Sequence, residues 1–176
     1  MKLADRIQRL RVPLGFAVAI AVLYLARPTG LTILAGLPVA LCGATLRALA
    51  AGVIRKDAVL TTVGPYAWTR NPLYLGSSLL SLGFAVMSGS WIALALLILP
   101  SAIVYPSVIR KEEAHLSSLF PGEFENYRAR VPRFFPRFRP AEEAFSIHQY
   151  LVNREYNTAL GFAAVLAVFI IKWRLI

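Results

Sequence analysis

The chain contains five apolar segments that could each cross a lipid bilayer, and this feature constrains its fold more than any other. They are Val12–Ala26, Leu31–Ile54, Pro72–Met87, Trp91–Ile109 and Asn157–Ile171. A helix needs about 20 residues to cross roughly 30 Å of hydrocarbon, and flanking Lys and Arg side chains that reach the headgroups shorten that requirement. The sequence therefore predicts an all-α, polytopic membrane protein with about five transmembrane helices, in a single domain of 176 residues.

The composition agrees with this fold and indicates lipid partners. Hydrophobic residues make up 57% of the chain and charged residues 16%, which is unlike a soluble domain. The formal charge of +10 could suggest nucleic acid, but the basic residues flank apolar segments, so anionic lipid headgroups are the better match. Cys42 is the only cysteine, which excludes disulfides and cysteine-rich metal sites. We expect membrane lipids as partners, no nucleic acid and no metal.

The distribution of basic residues predicts the orientation. They concentrate before the first segment, between the second and third, and after the fourth. If every segment crosses once, these regions share one side, and only Arg27, Lys172 and Arg174 lie opposite. The positive-inside rule then makes the N-terminus and the regions after the second and fourth segments cytoplasmic. The first apolar run is not followed by a small-residue cleavage site, so we expect it to remain as an anchor.

Two polar blocks interrupt the apolar segments at this predicted cytoplasmic face. The first runs from Gly64 to Gly76, and the second begins at Arg110 and reaches Pro132. In the first block, Asn71-Pro72 is typical of a helix start, because Asn is a favoured N-cap and Pro suits the first turn. In the second, two adjacent glutamates point about 100° apart on a helix, so one can face the bundle and the other water.

A carboxylate at the cytoplasmic end of the helix bundle is suited to hold an ammonium group, and nearby aromatic faces can hold a sulfonium. These features permit S-adenosylmethionine as a ligand without singling it out.

The two blocks together resemble a known family of membrane enzymes. The run Leu60–Gly76 resembles the core motif of the isoprenylcysteine carboxyl methyltransferases, and the stretch from Glu112 to Pro132 resembles their C-terminal motif. The resemblance implies an integral membrane methyltransferase that uses S-adenosylmethionine and takes a lipophilic acceptor from the bilayer. It implies cofactor contacts from Ala58, Val59, Leu60, Thr61, Tyr66, Asn71, Pro72, Leu73, Tyr74 and Glu112.

Two positions of the motif differ from the prenylcysteine enzymes. Asn71 stands where those enzymes have His, and Val108 stands where they have an Arg that holds the substrate carboxylate. The Asn-Pro-x-Tyr-x-Gly form is instead similar to phospholipid N-methyltransferases. The methyl acceptor is therefore open between an isoprenylcysteine-like carboxylate and a phospholipid-like amine. We expect Arg110 or Arg130 to orient an anionic part of the substrate, and Glu113 to take a proton if the nucleophile is an amine.

The cytoplasmic extension after the fourth segment is also predicted to be helical. The fourth helix should continue to Leu119, a short helix should cover Glu123–Arg130, and an interfacial helix should cover Glu142–Glu155. The motif core is then 58–132, the interfacial segment 133–156 and the last helix 157–171. Arg47, inside the second apolar segment, either has an internal polar role or reaches the cytoplasmic headgroups.

Three other functions compete with the methyltransferase reading. The chain could be a non-catalytic membrane scaffold or lipid-binding protein that keeps the fold. It could be a membrane reductase that uses a nicotinamide dinucleotide, although it is short for one. A channel or transporter fits least, because the segments show no inverted repeat and no intramembrane acidic residue.

Overall fold

The computed structural model describes residues 15, 17–142 and 145–175. This part of the chain is helical and contains no β-strand, which confirms the predicted all-α fold. Its helices are α1 (described at 15 and 17–25), α2 (Gly30–Ala51), α3 (Pro72–Ser88), α4 (Trp91–Leu119), α5 (Glu123–Arg130), α6 (Ile147–Val152) and α7 (Tyr156–Leu175), with a 3₁₀ turn at Gly64–Ala67.

The apolar helices match the predicted membrane segments closely. Helices α2, α4 and α7 are long and apolar enough to cross a membrane, and α3 is a shorter apolar helix. The predicted first segment, Val12–Ala26, lies partly outside the described residues. At 1.5 Å per residue, the 29 residues of α4 extend roughly 43 Å, more than the roughly 30 Å of hydrocarbon. The end of α4 beyond Ile109 therefore projects out of the apolar layer.

Helices α2 and α3 pack with their backbones in close approach. Glycines recur every seven residues on both helices, and a Cβ atom added at Gly43 would lie 2.6 Å from the Gly76 carbonyl oxygen. A Cβ atom added at Gly83 would lie 2.6 Å from the Ala40 Cβ atom. Small residues allow such approach in membranes, where dispersion contacts hold helices together. The small-residue face of α3 is therefore a helix-packing surface, as its sequence indicates.

Helices α3 and α4 form a tight antiparallel hairpin. Gly89 ends α3 with a left-handed φ of 62°, a conformation that glycine adopts without strain. Ser90 then caps α4 by accepting a hydrogen bond from the Ala93 amide. At this same end of the bundle, Lys172 of α7 donates to the carbonyl oxygens of Leu23 and Tyr24.

The extension after α4 agrees with the sequence in part. Helix α4 ends at Leu119 and α5 covers Glu123–Arg130, as predicted. The predicted interfacial helix Glu142–Glu155 is wrong in extent, because α6 covers only Ile147–Val152, and residues 143–144 lie outside the described part. The Ser146 amide donates to the Gly52 carbonyl oxygen, and Ser146 has an extended backbone and caps α6 with its side chain, so the helix begins at Ile147. Arg154, with a φ of 54°, turns the chain into α7.

Candidate functional site

The two polar blocks meet at one end of the helix bundle. The Tyr74 hydroxyl, in the first turn of α3, donates a 2.8 Å hydrogen bond to Glu112 Oε1 near the end of α4. The Tyr74 ring also lies edge-on to Tyr105, with centroids 5.1 Å apart. Because α3 and α4 are antiparallel, residues far apart in sequence share this end of the hairpin.

A pocket of about 530 Å³ opens between these elements. This volume lies within the range of roughly 300–1,000 Å³ that small-molecule sites occupy. Its wall combines apolar, aromatic and charged side chains from α2, the loop after α2, α3, α4 and α5. The lining residues with polar side chains are Arg47, Arg55, Lys56, Asp57, Thr61, Tyr66, Arg70, Asn71, Tyr74, Ser77, Tyr105, Glu112, Glu113, His115 and Tyr127.

Nearly all the residues expected to contact a cofactor lie in this pocket. Those that line it are Val59, Leu60, Thr61, Tyr66, Asn71, Pro72, Leu73, Tyr74 and Glu112. Ala58 is exposed and is not part of the lining. The Thr61 hydroxyl is buried and has no hydrogen-bond partner among the described residues. Buried polar atoms are nearly always paired, so this hydroxyl is a ready contact for a ligand.

The two glutamates have different environments. Glu112 is exposed at the pocket mouth, whereas Glu113 is only 8% exposed. Arg70 contacts Glu113 Oε1 through a hydrogen bond from Nε at 3.0 Å and an ion-pair contact from Nη2 at 2.9 Å. Arg133 donates to Glu113 Oε2 from Nε at 3.0 Å and from Nη2 at 2.7 Å. The single carboxylate therefore accepts three charged hydrogen bonds, the strongest class in proteins, and makes one further ionic contact.

These contacts keep Glu113 ionised. It lies beyond Ile109, outside the apolar part of α4. Burial by itself raises the pKa of Glu113, but the hydrogen bond from Arg133 and the charge of Arg70 outweigh burial and hold the pKa below its ordinary value. Because both carboxylate oxygens are occupied by guanidinium groups, the geometry gives no support to the expected role of Glu113 as a proton acceptor.

The two arginines expected to orient the substrate lie away from the pocket lining. Arg110 and Arg130 are both exposed. The Arg130 Nε atom donates to the Asn126 carbonyl oxygen within α5. Their proposed contacts with a substrate remain predictions.

An extended segment after α5, residues 131–140, holds the first polar block in place, and we call it the strap. The Arg70 amide donates to the Pro132 carbonyl oxygen at 2.9 Å, and the Arg137 amide donates to that of Trp68 at 3.0 Å. In addition, the Trp68 indole donates to the Arg139 carbonyl oxygen at 2.9 Å.

The Asn71 side chain binds the strap and does not cap α3. It occupies the N-cap position of α3, but its side chain makes no capping hydrogen bond. Instead, Asn71 Nδ2 donates to the Arg133 carbonyl oxygen at 2.9 Å. Since the Arg133 side chain binds Glu113, Asn71 fixes the backbone that delivers one of the two guanidinium groups.

Arg47 has the internal polar role that was one of its two expected roles. Its Nε and Nη2 atoms donate to the two carboxylate oxygens of Glu155 at 2.8 and 2.9 Å. Nη2 also donates to Thr158, and Nη1 donates to Ser77 and to the Leu73 carbonyl oxygen. All five guanidinium N–H groups are accounted for, so Arg47 ties α2 to α3 and α7 in the wall of the pocket.

Sequence reasoning missed three members of these networks, namely Glu155, Arg70 and Arg133. Glu155 could have been found, because an ionisable residue inside a membrane segment implies a partner of opposite charge, and Glu155 immediately precedes the last apolar helix. The pairing of Arg70 and Arg133 with Glu113 has no comparable sequence signal. It depends on the path of the strap.

Two tyrosines complete the inner wall. The Tyr127 hydroxyl donates to the Tyr66 carbonyl oxygen at 2.7 Å, so α5 holds the 3₁₀ turn. Burial raises the pKa of the Tyr66 hydroxyl and that of the Tyr127 hydroxyl well above the ordinary value. Both phenols therefore stay protonated across the physiological range, and the Tyr127 hydroxyl is a neutral donor to the Tyr66 carbonyl oxygen.

Known proteins resemble the part of the chain that builds this site. Residues 49–123 match the family model described as phospholipid methyltransferase. The chain is 38% identical over 116 residues to the cobalt-zinc-cadmium resistance protein CzcN of Cupriavidus metallidurans. The matched region covers 65% of this chain and 53% of CzcN. It is also 38% identical over 117 residues to the nickel-cobalt-cadmium resistance protein NccN of Alcaligenes xylosoxydans, and this match covers 65% of this chain and 54% of NccN.

A further relative is a named methyltransferase. The protein-S-isoprenylcysteine O-methyltransferase of Schizosaccharomyces pombe is 36% identical over 81 residues, which cover 46% of this chain and 34% of that enzyme. The chain spans about half the length of the two resistance proteins it matches. No solved structure shows significant similarity to it. These matches confirm the resemblance predicted from the two motifs: the chain is similar to the membrane methyltransferases of the phospholipid and isoprenylcysteine type.

Proposed function

We propose that this protein is an integral membrane enzyme that moves a methyl group from S-adenosylmethionine to a lipophilic acceptor. One observation carries the proposal. The residues that resemble the two methyltransferase motifs, separated by about forty positions in the sequence, line one pocket at the end of the apolar helices. A cofactor held there would lie next to the bilayer that contains the acceptor.

The side chains of the pocket fit the cofactor by charge and shape. The exposed Glu112 carboxylate is suited to the ammonium group, and the faces of Tyr66, Tyr74 and Tyr105 are suited to the sulfonium. The buried Thr61 hydroxyl offers a donor or acceptor to the nucleoside. This set complements the ammonium group, the sulfonium and the nucleoside of the methyl donor.

When bound, S-adenosylmethionine supplies a methyl carbon whose bond to sulfur breaks as a lone pair of the acceptor bonds to that carbon, leaving S-adenosylhomocysteine. The residues of the chain need only align the reactants and exclude water, and positioning alone can contribute roughly 7–11 kcal/mol. Tyr74 orients Glu112 through its hydroxyl. Glu113, Arg70 and Arg133 keep the wall rigid.

The proton of an amine acceptor would require a base other than Glu113. The exposed His115 imidazole lines the pocket, and its Nε2 atom lies 3.2 Å from Asp57 Oδ1, so we propose it as that base. A carboxylate acceptor would need no base. Both a carboxylate and an amine therefore stay open as methyl acceptors. Arg110 and Arg130 are the candidates to bind an anionic part of either acceptor.

The pocket is proposed to face the cytoplasm. Arg55, Lys56 and Arg70 lie at its end of the bundle, together with the basic residues of the strap, whereas Arg27, Lys172 and Arg174 lie at the other. The excess of positive charge at the pocket end follows the positive-inside rule.

The test is incubation of the purified protein with radiolabelled methyl donor and total membrane lipid, followed by chromatography. We expect label in a lipid fraction, and loss of most of it in Glu112→Gln. Alkali-labile label would identify an ester, and stable label on an amine-containing lipid would identify N-methylation. Absence of labelled lipid, with a donor analogue still bound, would favour a non-catalytic protein that retains the fold.

A further inference from the structure

The strap presents aromatic side chains to its surroundings although its backbone is fixed. Phe135 is 80% exposed and Phe138 is 78% exposed, while the strap carbonyl and amide groups bond to residues 68–71. Phe138 also contacts Trp68 edge-on, with ring centroids 5.4 Å apart. A held backbone that displays large apolar rings is typical of an interaction surface.

The strap is also basic. Arg137 and Arg139 alternate with the phenylalanines, and residues 131–140 contain no acidic residue. Neither arginine forms an ion pair within the part of the chain that the structure describes. Arg139 donates only to the Arg130 carbonyl oxygen. The strap therefore carries two uncompensated positive charges beside two exposed rings.

The strap lies beside the ends of the apolar helices, at the level where a bilayer around them would change from hydrocarbon to headgroups. Asn71, at the first turn of the apolar helix α3, bonds to the Arg133 carbonyl oxygen. Arg133 in turn reaches Glu113, four residues beyond the apolar part of α4. Aromatic rings and basic side chains are the residues that anchor proteins at this level.

We propose that the outer face of the strap is a binding site for the anionic headgroups of the surrounding bilayer. Arg137 and Arg139 bind the phosphates, and Phe135 and Phe138 insert beside them at the top of the acyl chains. A second copy of this chain is a poorer occupant, because two identical faces would bring four unpaired guanidinium groups together.

Trp68 provides an internal reporter of this site, because its ring contacts Phe138 and its indole nitrogen bonds to the Arg139 carbonyl oxygen. The background protein carries Trp91→Phe and Trp173→Phe, so that Trp68 is the only tryptophan. Detergent-solubilised protein is titrated with micelles that contain phosphatidylglycerol or phosphatidylcholine, and Trp68 fluorescence is followed.

We expect a saturable change with phosphatidylglycerol and little with phosphatidylcholine. In Arg137→Gln with Arg139→Gln, the midpoint should rise by more than tenfold, since each basic residue near an anionic surface contributes about a fivefold factor. Phe135→Ser, which leaves Trp68 and its neighbours intact, should also raise it. The control is Lys111→Gln with Arg128→Gln, which removes the same charge from exposed sites off the strap and should leave the midpoint unchanged.

Equal responses to both lipids would overturn the proposal, as would equal midpoint shifts in the strap pair and the control pair. A response that depends on protein concentration and not on lipid would assign the face to self-association instead. None of these results depends on methyl transfer, so the proposal can fail while the enzymatic one stands.

Discussion

The environments of Glu112 and Glu113 predict opposite consequences for the same substitution. In Glu113→Gln, the Arg70 guanidinium, whose side chain is 7% exposed, loses its counterion while remaining buried. Removing one partner of a buried ion pair costs about 3–5 kcal/mol, because the other charge is left uncompensated. The Arg133 side chain is 46% exposed, so water screens it and its share of the cost is small.

The matched variant is Glu112→Gln, one residue earlier. Glu112 is exposed and accepts a hydrogen bond from the neutral Tyr74 hydroxyl, which an amide oxygen can also accept. We expect a change in unfolding free energy of less than about 1 kcal/mol, together with weaker binding of the methyl donor.

The assay is unfolding in mixed micelles with increasing denaturing detergent, followed by circular dichroism, for the wild type and both variants. The double variant Glu113→Gln with Arg70→Gln should recover part of the lost stability, because it removes the orphaned charge. The reasoning is refuted if Glu113→Gln unfolds like the wild type, or if Glu112→Gln is the less stable of the two single variants.

Three further predictions concern the packing of α2 on α3, the Arg47 network and the effect of pH on Glu113. Gly83→Ala should destabilise the protein by about 1–3 kcal/mol, because its Cβ would overlap Ala40 on α2, whereas Gly161→Ala on α7, with open space around it, should be neutral or stabilising in the same unfolding assay. Arg47→Met should cost about 3–5 kcal/mol by orphaning Glu155, and adding Glu155→Met should restore most of that loss; an additive double variant would contradict the pairing. The pKa of Glu113 is lowered in the folded state, so its contribution to stability is complete above the ordinary value of about 4.3 and is lost as pH falls through the folded pKa. The acid limb of the stability profile should therefore be flatter in Glu113→Gln than in the wild type.

The sequence predicted the helices well because hydrophobicity and caps determine them locally. The apolar runs, the Gly89 turn and the start of α3 at Pro72 each have a nearby signal. The interfacial helix was predicted too long because Ser146 is held by the Gly52 carbonyl oxygen, a contact made across 94 residues that no local pattern contains.

The sequence predicted which residues line the pocket better than it predicted what each of them does. Residues such as Tyr74 and Glu112 follow from the motifs, and they do line the pocket. Which glutamate is buried depends on the helical phase of α4 relative to the strap. The sequence therefore predicts that the two glutamates differ in exposure, but not that Glu113 is the buried one, because its burial depends on the contacts of Arg70 and Arg133.

The central claim is that the turn entering α3 and the acidic pair leaving α4 grip one methyl donor. Calorimetric titration of the detergent-purified protein with S-adenosylhomocysteine tests it directly. We predict saturable binding that Glu112→Gln weakens by at least tenfold, equivalent to about 1.4 kcal/mol. The absence of any heat of binding at about 1 mM ligand would contradict the claim, because the binding free energy would then be weaker than about −4 kcal/mol.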